Sequence, residues 1–113
     1  MQIISEYDSI VNAFIVKMPE YINYDALEVW KSELLLSLSK VENKIALLID
    51  INRHNFESIE CLKLLRNMFD ESIVKEKVLK TAFVCPKKYK ESEVVSNEEA
   101  YFEKFNDAYC WLQ

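Results

Sequence analysis

The sequence has 113 residues, of which 50% are hydrophobic and 29% are charged, a composition typical of one globular domain with a real core and no room for a second domain. Its net charge of −5 at pH 7 argues against nucleic acid as a partner, because nucleic-acid binders present basic surfaces to phosphate. The chain contains no glycine, which excludes the Walker loop, the dinucleotide-binding turn and the G-x-S-x-G nucleophile elbow.

The chain shows no sign of a membrane span, a secretion signal or a metal site. Its longest apolar runs are far shorter than the roughly 20 residues that cross a bilayer, and its N-terminus lacks the basic and apolar regions of a signal peptide. The three cysteines, Cys61, Cys85 and Cys110, form no CxxC pair, so we expect reduced thiols buried in a core. These features predict a cytoplasmic protein without a cofactor.

Two strands open the chain. The strand-like runs 2–7 and 10–18 predict an antiparallel hairpin with its turn at Asp8 and Ser9. Pro19 ends the second strand because proline has no N–H to donate.

A helical period then replaces the strand pattern. We expect Asn23 to cap the helix at its start, and Asn43 to end it in the left-handed conformation that glycine would otherwise supply. Residues spaced by three or four form the apolar face, namely Leu27, Trp30, Leu34, Leu38 and Val41.

The central part of the chain alternates strand and helix. Residues 44–50 are apolar on both alternating sets, which predicts a strand covered on both faces. A helical pattern over 56–74 and a strand over 78–85 follow.

The end of the chain predicts a long polar loop over 87–99, a short strand over 101–105 and a terminal helix over 106–112. The predicted order is therefore β-β-α-β-α-β-β-α. This order indicates an α/β fold with one mostly parallel sheet of about five strands, an N-terminal antiparallel hairpin and helices mainly on one face. The opposite face is then a candidate surface for association.

Polar residues follow two neighbouring strands of this sheet. Ligands of open α/β sheets bind beyond the carboxyl ends of strands, and basic side chains near the start of the second helix could form an anion pocket there. The candidate ligand-binding or partner-binding residues are Asp50, Arg53, His54, Ser58, Lys87 and Lys88.

Two other interpretations of these residues stay open. His54 with Asp50 or Cys85 could serve a small enzyme, although a histidine in a surface loop is commonplace and one histidine makes a triad improbable. Alternatively, the chain could be a purely structural homodimer that buries Tyr and Phe side chains between two copies. Lys87 and Lys88 also fit an ordinary solvated loop.

The whole chain resembles the STAS-like domains, the group of anti-sigma-factor antagonists and their bacterial relatives, which is also similar to the lipid-binding CRAL-TRIO fold. The resemblance rests on the stretch 46–51 (ALLIDI) leading into a helix, the strand 81–84 (TAFV) and the ending 101–112 (YFEKFNDAYCWL). It implies an α/β fold and a binding or regulatory role.

In the antagonists, a strand ending in Asp leads to an Asp-Ser-Ser-Gly turn whose serine is phosphorylated. An ungapped match from Asp50 places Ile59 or Glu60 at the acceptor position and Cys61 at the glycine, so the motif is absent. Ser58 is the nearest hydroxyl, and a phosphate there would lie at a helix N-terminus. We therefore expect a non-catalytic module that binds a protein partner or a small apolar or anionic ligand through the strand-end loops and the face beside the second helix.

Overall fold

The computed structural model describes residues 3–51, 55–86 and 90–113. Its strands are β1 (Ile4–Asp8), β2 (Ala13–Lys17), β3 (Tyr21–Ile22), β4 (Ile45–Asp50), β5 (Asn55–Phe56), β6 (Val78–Val84), β7 (Glu93–Val94) and β8 (Glu99–Phe102). Its helices are α1 (Tyr24–Lys40), α2 (Ile59–Met68), α3 (Ser72–Lys77) and α4 (Phe105–Leu112).

Six strands form one mostly parallel sheet in the order β1-β2-β4-β6-β8-β7. Strands β2, β4, β6 and β8 run parallel, and β1 and β7 pair antiparallel at the two edges. The predicted fold class and N-terminal hairpin are thereby confirmed. Strand β7 lies within 87–99, where the sequence predicted only a loop, and β3 and β5 add a separate two-residue parallel pair.

The hairpin turn is longer than predicted and depends on Asn12, which has φ 52°. The Asn12 amide donates to the Lys44 carbonyl over 3.2 Å, and its oxygen accepts the Tyr7 hydroxyl over 2.7 Å. Left-handed backbone favours glycine, and asparagine is the residue that best replaces it. The bond to Lys44 connects the hairpin turn to the start of β4, and the bond from Tyr7 connects the turn to β1.

Helix α1 begins as the sequence predicted and ends differently. The Asn23 side chain accepts the Ala26 N–H over 2.8 Å, which confirms the N-cap. The prediction for Asn43 was wrong, because α1 ends on an extended Val41 whose N–H bonds to the Leu38 carbonyl. The Lys77 ammonium binds the Val41 carbonyl over 2.8 Å, so this end is satisfied without a left-handed residue.

The predicted helix over 56–74 is two helices, α2 and α3. The break at 69–71 is a turn in which the Asp70 and Glu71 N–H groups bond to the carbonyls of Asn67 and Met68. The sequence pattern did not reveal this break, because Phe69 at its start and Ile73 after it pack against the same core and keep the helical spacing of apolar residues.

The sheet is covered by helices on both faces, unequally. Helices α1, α2 and α3 pack on one face, against a cluster that includes Val16, Leu47 and Ile49. Helix α4 alone packs on the other, against Ala46 and Leu48 among others. Most helices therefore share a face, as predicted, but α4 occupies part of the face that was expected to be free for association.

The last strand and helix begin earlier than the sequence indicated. Strand β8 spans Glu99–Phe102 where 101–105 was predicted, and α4 starts at Phe105. Phe102 and Phe105 consequently belong to different elements, and both pack against the α4 cluster.

Candidate functional site: a groove beside the second helix

An open groove of about 600 Å³ lies on the face that α1, α2 and α3 cover, between α2–α3 and strands β6 and β8. We call it the α2 groove. The connections from β2 to β4 and from β4 to β6 each contain helix, whereas the described part of the connection from β6 to β8 contains none. The helical layer therefore stops short of β8, and the side chains of β8 on this face are left uncovered.

Three aromatic side chains form the apolar part of the α2 groove. Phe83 and Tyr101 are neighbours in the β6–β8 register and stack with ring centroids 5.1 Å apart and an interplanar angle of 14°. Phe69, the C-cap residue of α2, meets Phe83 edge-on with ring centroids 5.8 Å apart. Such aromatic pairs contribute about 0.5–1.5 kcal/mol beyond the area they bury. All three are only half-buried, so the row keeps surface that a ligand could cover.

The Tyr101 phenol is held as a neutral group. Its hydroxyl donates to the Glu99 carboxylate over 2.6 Å. Burial, followed by this hydrogen bond, raises the pKa of Tyr101 far above its ordinary value. The Lys90 ammonium lies 5.4 Å over the Tyr101 ring and pairs with Glu93. The residue therefore presents an aromatic surface whose hydroxyl is already engaged.

Basic side chains stand at the margin of the α2 groove. Arg66 of α2, Lys75 of α3 and Lys44 before β4 all line it and are exposed. Among the described residues, neither Arg66 nor Lys75 forms a salt bridge. Lys80 and the carboxylates of Glu98 and Glu99 complete the charged lining, and Glu99 already accepts the Tyr101 hydroxyl. Four basic side chains against two acidic ones give the lining a net positive charge on a protein whose net charge is −5, which favours a ligand with an anionic group.

Two predicted site residues lie in the described part of the chain. Asp50 ends β4 and aligns with Lys17 of β2 and Val84 of β6. Ser58 occupies the N-cap position of α2, but its hydroxyl caps no N–H of that helix and lies 3.9 Å from the Cys61 sulfur. The Ser58 hydroxyl therefore does not act as the N-cap acceptor of α2.

The other four predicted site residues, Arg53, His54, Lys87 and Lys88, lie outside the described residues. The anion pocket that they were predicted to form with Asp50 and Ser58 stays a prediction, as does the pairing of His54 with Asp50 or Cys85. Of the two that the structure describes, neither Asp50 nor Ser58 lines the α2 groove.

The cysteines differ in their surroundings. Cys61 and Cys85 are buried, as expected, but Cys110 is exposed on α4, so that prediction was wrong for one of the three. Burial and, to a smaller extent, the Glu103 carboxylate raise the pKa of the Cys85 thiol against the opposing effect of Lys90. A raised pKa favours the thiol, whereas a cysteine nucleophile needs the thiolate. Within the described ranges, no group of His, Cys, Asp and Glu side chains could hold a metal ion.

The sequence analysis predicted binding at the face beside the second helix, which stays a prediction, and it did not include the aromatic residues that shape the α2 groove. Phe83 and Tyr101 each sit in a short strand where an aromatic residue normally indicates core. One sequence signal was available. Two residues before each aromatic residue, on the same face of its strand, stands a polar one: Thr81 before Phe83 and Glu99 before Tyr101. A polar residue on that face is expected where the face is partly open to solvent. No helix in the described part of the chain is long and apolar enough to span a membrane.

No protein-family model matches the sequence, and a search of curated proteins finds no match either. The fold is similar to the crystal structure of an uncharacterised protein of the DUF3478 family from Shewanella loihica, which is described as having a SpoIIAA-like fold. The TM-score is 0.69 at 19% sequence identity, with 98% of this chain and 92% of that chain covered. At this identity the similarity establishes the architecture. The chain therefore has the SpoIIAA-like, or STAS-like, fold that its sequence resemblance implied.

Proposed function

We propose that the chain is a non-catalytic binding module whose ligand is a small amphipathic anion held in the α2 groove. The SpoIIAA-like fold is consistent with a binding or regulatory role. The observation that carries the proposal is the stacked pair Phe83 and Tyr101, half-buried in an open groove with the exposed Arg66 guanidinium at its margin.

The size and lining of the α2 groove suit a small ligand. Small-molecule sites usually enclose about 300–1,000 Å³ and combine apolar walls with a few polar groups that fix orientation. Leu79, which is 50% exposed, extends the apolar lining beyond the aromatic row. An apolar tail would cover Leu79 and the rings, and each square ångström of apolar surface removed from water contributes roughly 25 cal/mol.

The charge at the margin specifies the other end of the ligand. A guanidinium binds a carboxylate or phosphate through two parallel hydrogen bonds, and Arg66 has no competing salt bridge among the described residues. The groups around it favour binding over chemistry. Tyr101 stays protonated because its pKa is raised, and its hydroxyl donates a hydrogen bond to Glu99. It is therefore a poor general base.

Calorimetric titration with dodecanoate, a carboxylate with an apolar tail, tests this proposal. We expect saturable binding to the native chain and about tenfold weaker binding to Arg66→Gln, because a hydrogen bond to a charged group is worth about 1.5–3 kcal/mol. Lys63→Gln is the matched control, since Lys63 lies on the same helix and pairs with Glu60 outside the groove. Absence of binding, or equal weakening by both substitutions, would contradict the proposal.

A protein partner at the start of α2 is the second candidate function. Ile59 is 62% exposed and Leu62 is 39% exposed, which is unusual for the apolar side of a short helix. A partner that covers them should co-purify with the native chain and with Val29→Glu, an exposed substitution on α1, but not with Leu62→Glu. If all three chains elute alone, the amphipathic anion is favoured.

A further inference from the structure

Strand β1 is an edge strand that lacks the usual protection. It ends the sheet order and, among the described strands, pairs with β2 alone, in a regular register from Ile4 to Asp8 without a bulge. It contains no proline and no lysine, the residues that most often prevent an edge from pairing with another chain. Ile4 is 54% and Tyr7 is 55% exposed, so its outer surface is partly apolar.

The charges on this edge are all acidic, and they face one way. Side chains alternate along a strand, so Glu6 and Asp8 share the face of the sheet that α4 covers. Asp8 accepts hydrogen bonds from the Tyr109 hydroxyl over 3.0 Å and from the Ile10 N–H over 2.9 Å. The exposed Glu6 carboxylate forms no salt bridge among the described residues.

A cleft of about 520 Å³ lies beside these carboxylates, between β1–β2 and α4. We call it the β1 cleft. Its far wall is the stacked pair Phe105 and Tyr109, with centroids 6.0 Å apart. The Lys17 ammonium lies 5.5 Å over the Phe105 ring, which shows that this ring accepts a cation on its face. Glu6 and Asp8 together outnumber Lys17, so the β1 cleft keeps a net negative charge.

We propose that the β1 edge and the β1 cleft form a docking site for an extended basic segment of a partner protein. The segment adds a strand beside β1 through main-chain hydrogen bonds. Its alternate side chains, lysine or arginine, then point to the α4 face, toward Glu6, Asp8 and the aromatic wall. Side chains of the opposite sign placed across a strand pair stabilise it, whereas like charges destabilise it.

Charge decides between this partner and a second copy of the chain. A second copy would bring a further net charge of −5 and its own Glu6 and Asp8 to the same edge. A basic segment meets the opposite sign at every one of these positions. The site is separate from the α2 groove, which lies at the other edge of the sheet and on its other face, so either can fail without the other.

The probe is a nine-residue peptide of alternating lysine and valine with an acetylated N-terminus and an amidated C-terminus. Its binding is measured by the changes that it causes in the backbone amide chemical shifts of the full chain. We expect the largest shifts at Ile4–Asp8 and Tyr109. A peptide of the same sequence that is N-methylated at every residue has the same charge but no backbone N–H donors, and we expect it to bind at least tenfold more weakly. Equal binding of the two peptides would show charge attraction alone and would overturn the proposal.

Two charge reversals locate the site. Glu6→Lys should weaken binding of the lysine–valine peptide at least tenfold, and Glu76→Lys, an exposed substitution on α3, should change it less than twofold. Both positions are exposed, and thermal unfolding will confirm that each variant folds. Equal weakening by both reversals would overturn the proposal, as would a dimer in light scattering whose β1 amides are protected from exchange.

Discussion

The two faces of the sheet are built from different strand residues. On the face under α1, α2 and α3, the strands contribute larger side chains such as Val16, Leu47 and Ile49. On the face under α4 they contribute Ala13, Ala46 and Ala82 together with Leu48. Small side chains let a helix lie close to a sheet, so the single short helix α4 fills its side without a thick core.

The two helical layers also end at opposite edges of the sheet, and each leaves an opening. The three-helix layer stops short of β8 and leaves the α2 groove, which is lined by the basic side chains of Arg66 and Lys75; neither forms a salt bridge with another described residue. Helix α4 stops short of β1 and leaves the β1 cleft, whose charges are mainly acidic. Helix placement therefore decides where this fold is open, whereas the charge of each opening has a different origin: helices α2 and α3 supply it at the α2 groove, and strands β1 and β2 supply it at the β1 cleft.

The largest expected effect is a loss of unfolding free energy when a buried leucine is shortened, and it compares the two faces of the sheet through two neighbouring residues of β4. Leu47→Ala and Leu48→Ala each remove a fully buried side chain, and such changes cost about 2–5 kcal/mol of unfolding free energy. We expect Leu47→Ala at the upper end of this range, because three helices hold its cavity open. Leu48→Ala should fall at the lower end, because the single helix α4 can settle inward. Urea unfolding measures both, and the reverse order would contradict this account of the faces.

Overpacking the alanine side should have the next largest effect. Ala82 is fully buried in the α4 cluster, so Ala82→Leu should push α4 away and cost about 1–3 kcal/mol. Trp111 on α4 should then show red-shifted emission as water reaches it. Ser37→Leu, which adds a similar volume on the exposed side of α1, is the control. An unchanged emission and stability for Ala82→Leu would show that α4 is not closely packed.

A smaller effect is expected where α4 is fastened at its end. The Lys80 ammonium donates to the Trp111 carbonyl over 3.1 Å and lies 4.8 Å over the Trp111 ring. Lys80→Gln should cost about 1 kcal/mol, measured by urea unfolding. Lys40→Gln at an exposed end of α1 is the matched control, and equal losses would show that the Lys80 contacts contribute nothing specific.

Much of the structure on the face under α1, α2 and α3 was predictable from the sequence, because it depends on residues that are close together in the chain. The Asn23 cap, the buried strand around Leu47 and the hairpin each depend on residues close in sequence, and all were confirmed. The second helix was predicted as one unit because Phe69 and Ile73 keep the apolar period across a break made by backbone turns. Strands β3, β5 and β7 have only two residues each, too few to leave a pattern.

The candidate site was less predictable for a physical reason. Asp50 and Ser58 were predicted from local signals at a strand end and a helix start, and neither of them lines the α2 groove. The adjacency of Phe83 and Tyr101 exists only through the pairing of β6 with β8, which residues distant in sequence create. The described part of that crossover contains no helix, which leaves Tyr101 only partly covered, and neither strand carries a sequence signal of this.

The smallest expected effect is a pH dependence confined to the α2 groove. Burial and the hydrogen bond to Glu99 raise the pKa of the Tyr101 phenol in the folded chain above the ordinary value of about 10. The folded state therefore holds this proton more tightly than the unfolded state, and the resulting stability is present below pH 10 and falls as the pH rises above it. Tyr101→Phe should lessen that fall in urea unfolding. An identical decline in both chains would contradict the raised pKa.

The central claim is that the α2 groove binds an amphipathic anion, and intermolecular NOEs with dodecanoate test it most directly. The account predicts NOEs from the methylene protons of dodecanoate to the ring protons of Phe83 and Tyr101, together with a shifted Arg66 guanidinium signal. NOEs confined to other parts of the chain, such as the β1 cleft or the exposed start of α2, would contradict it.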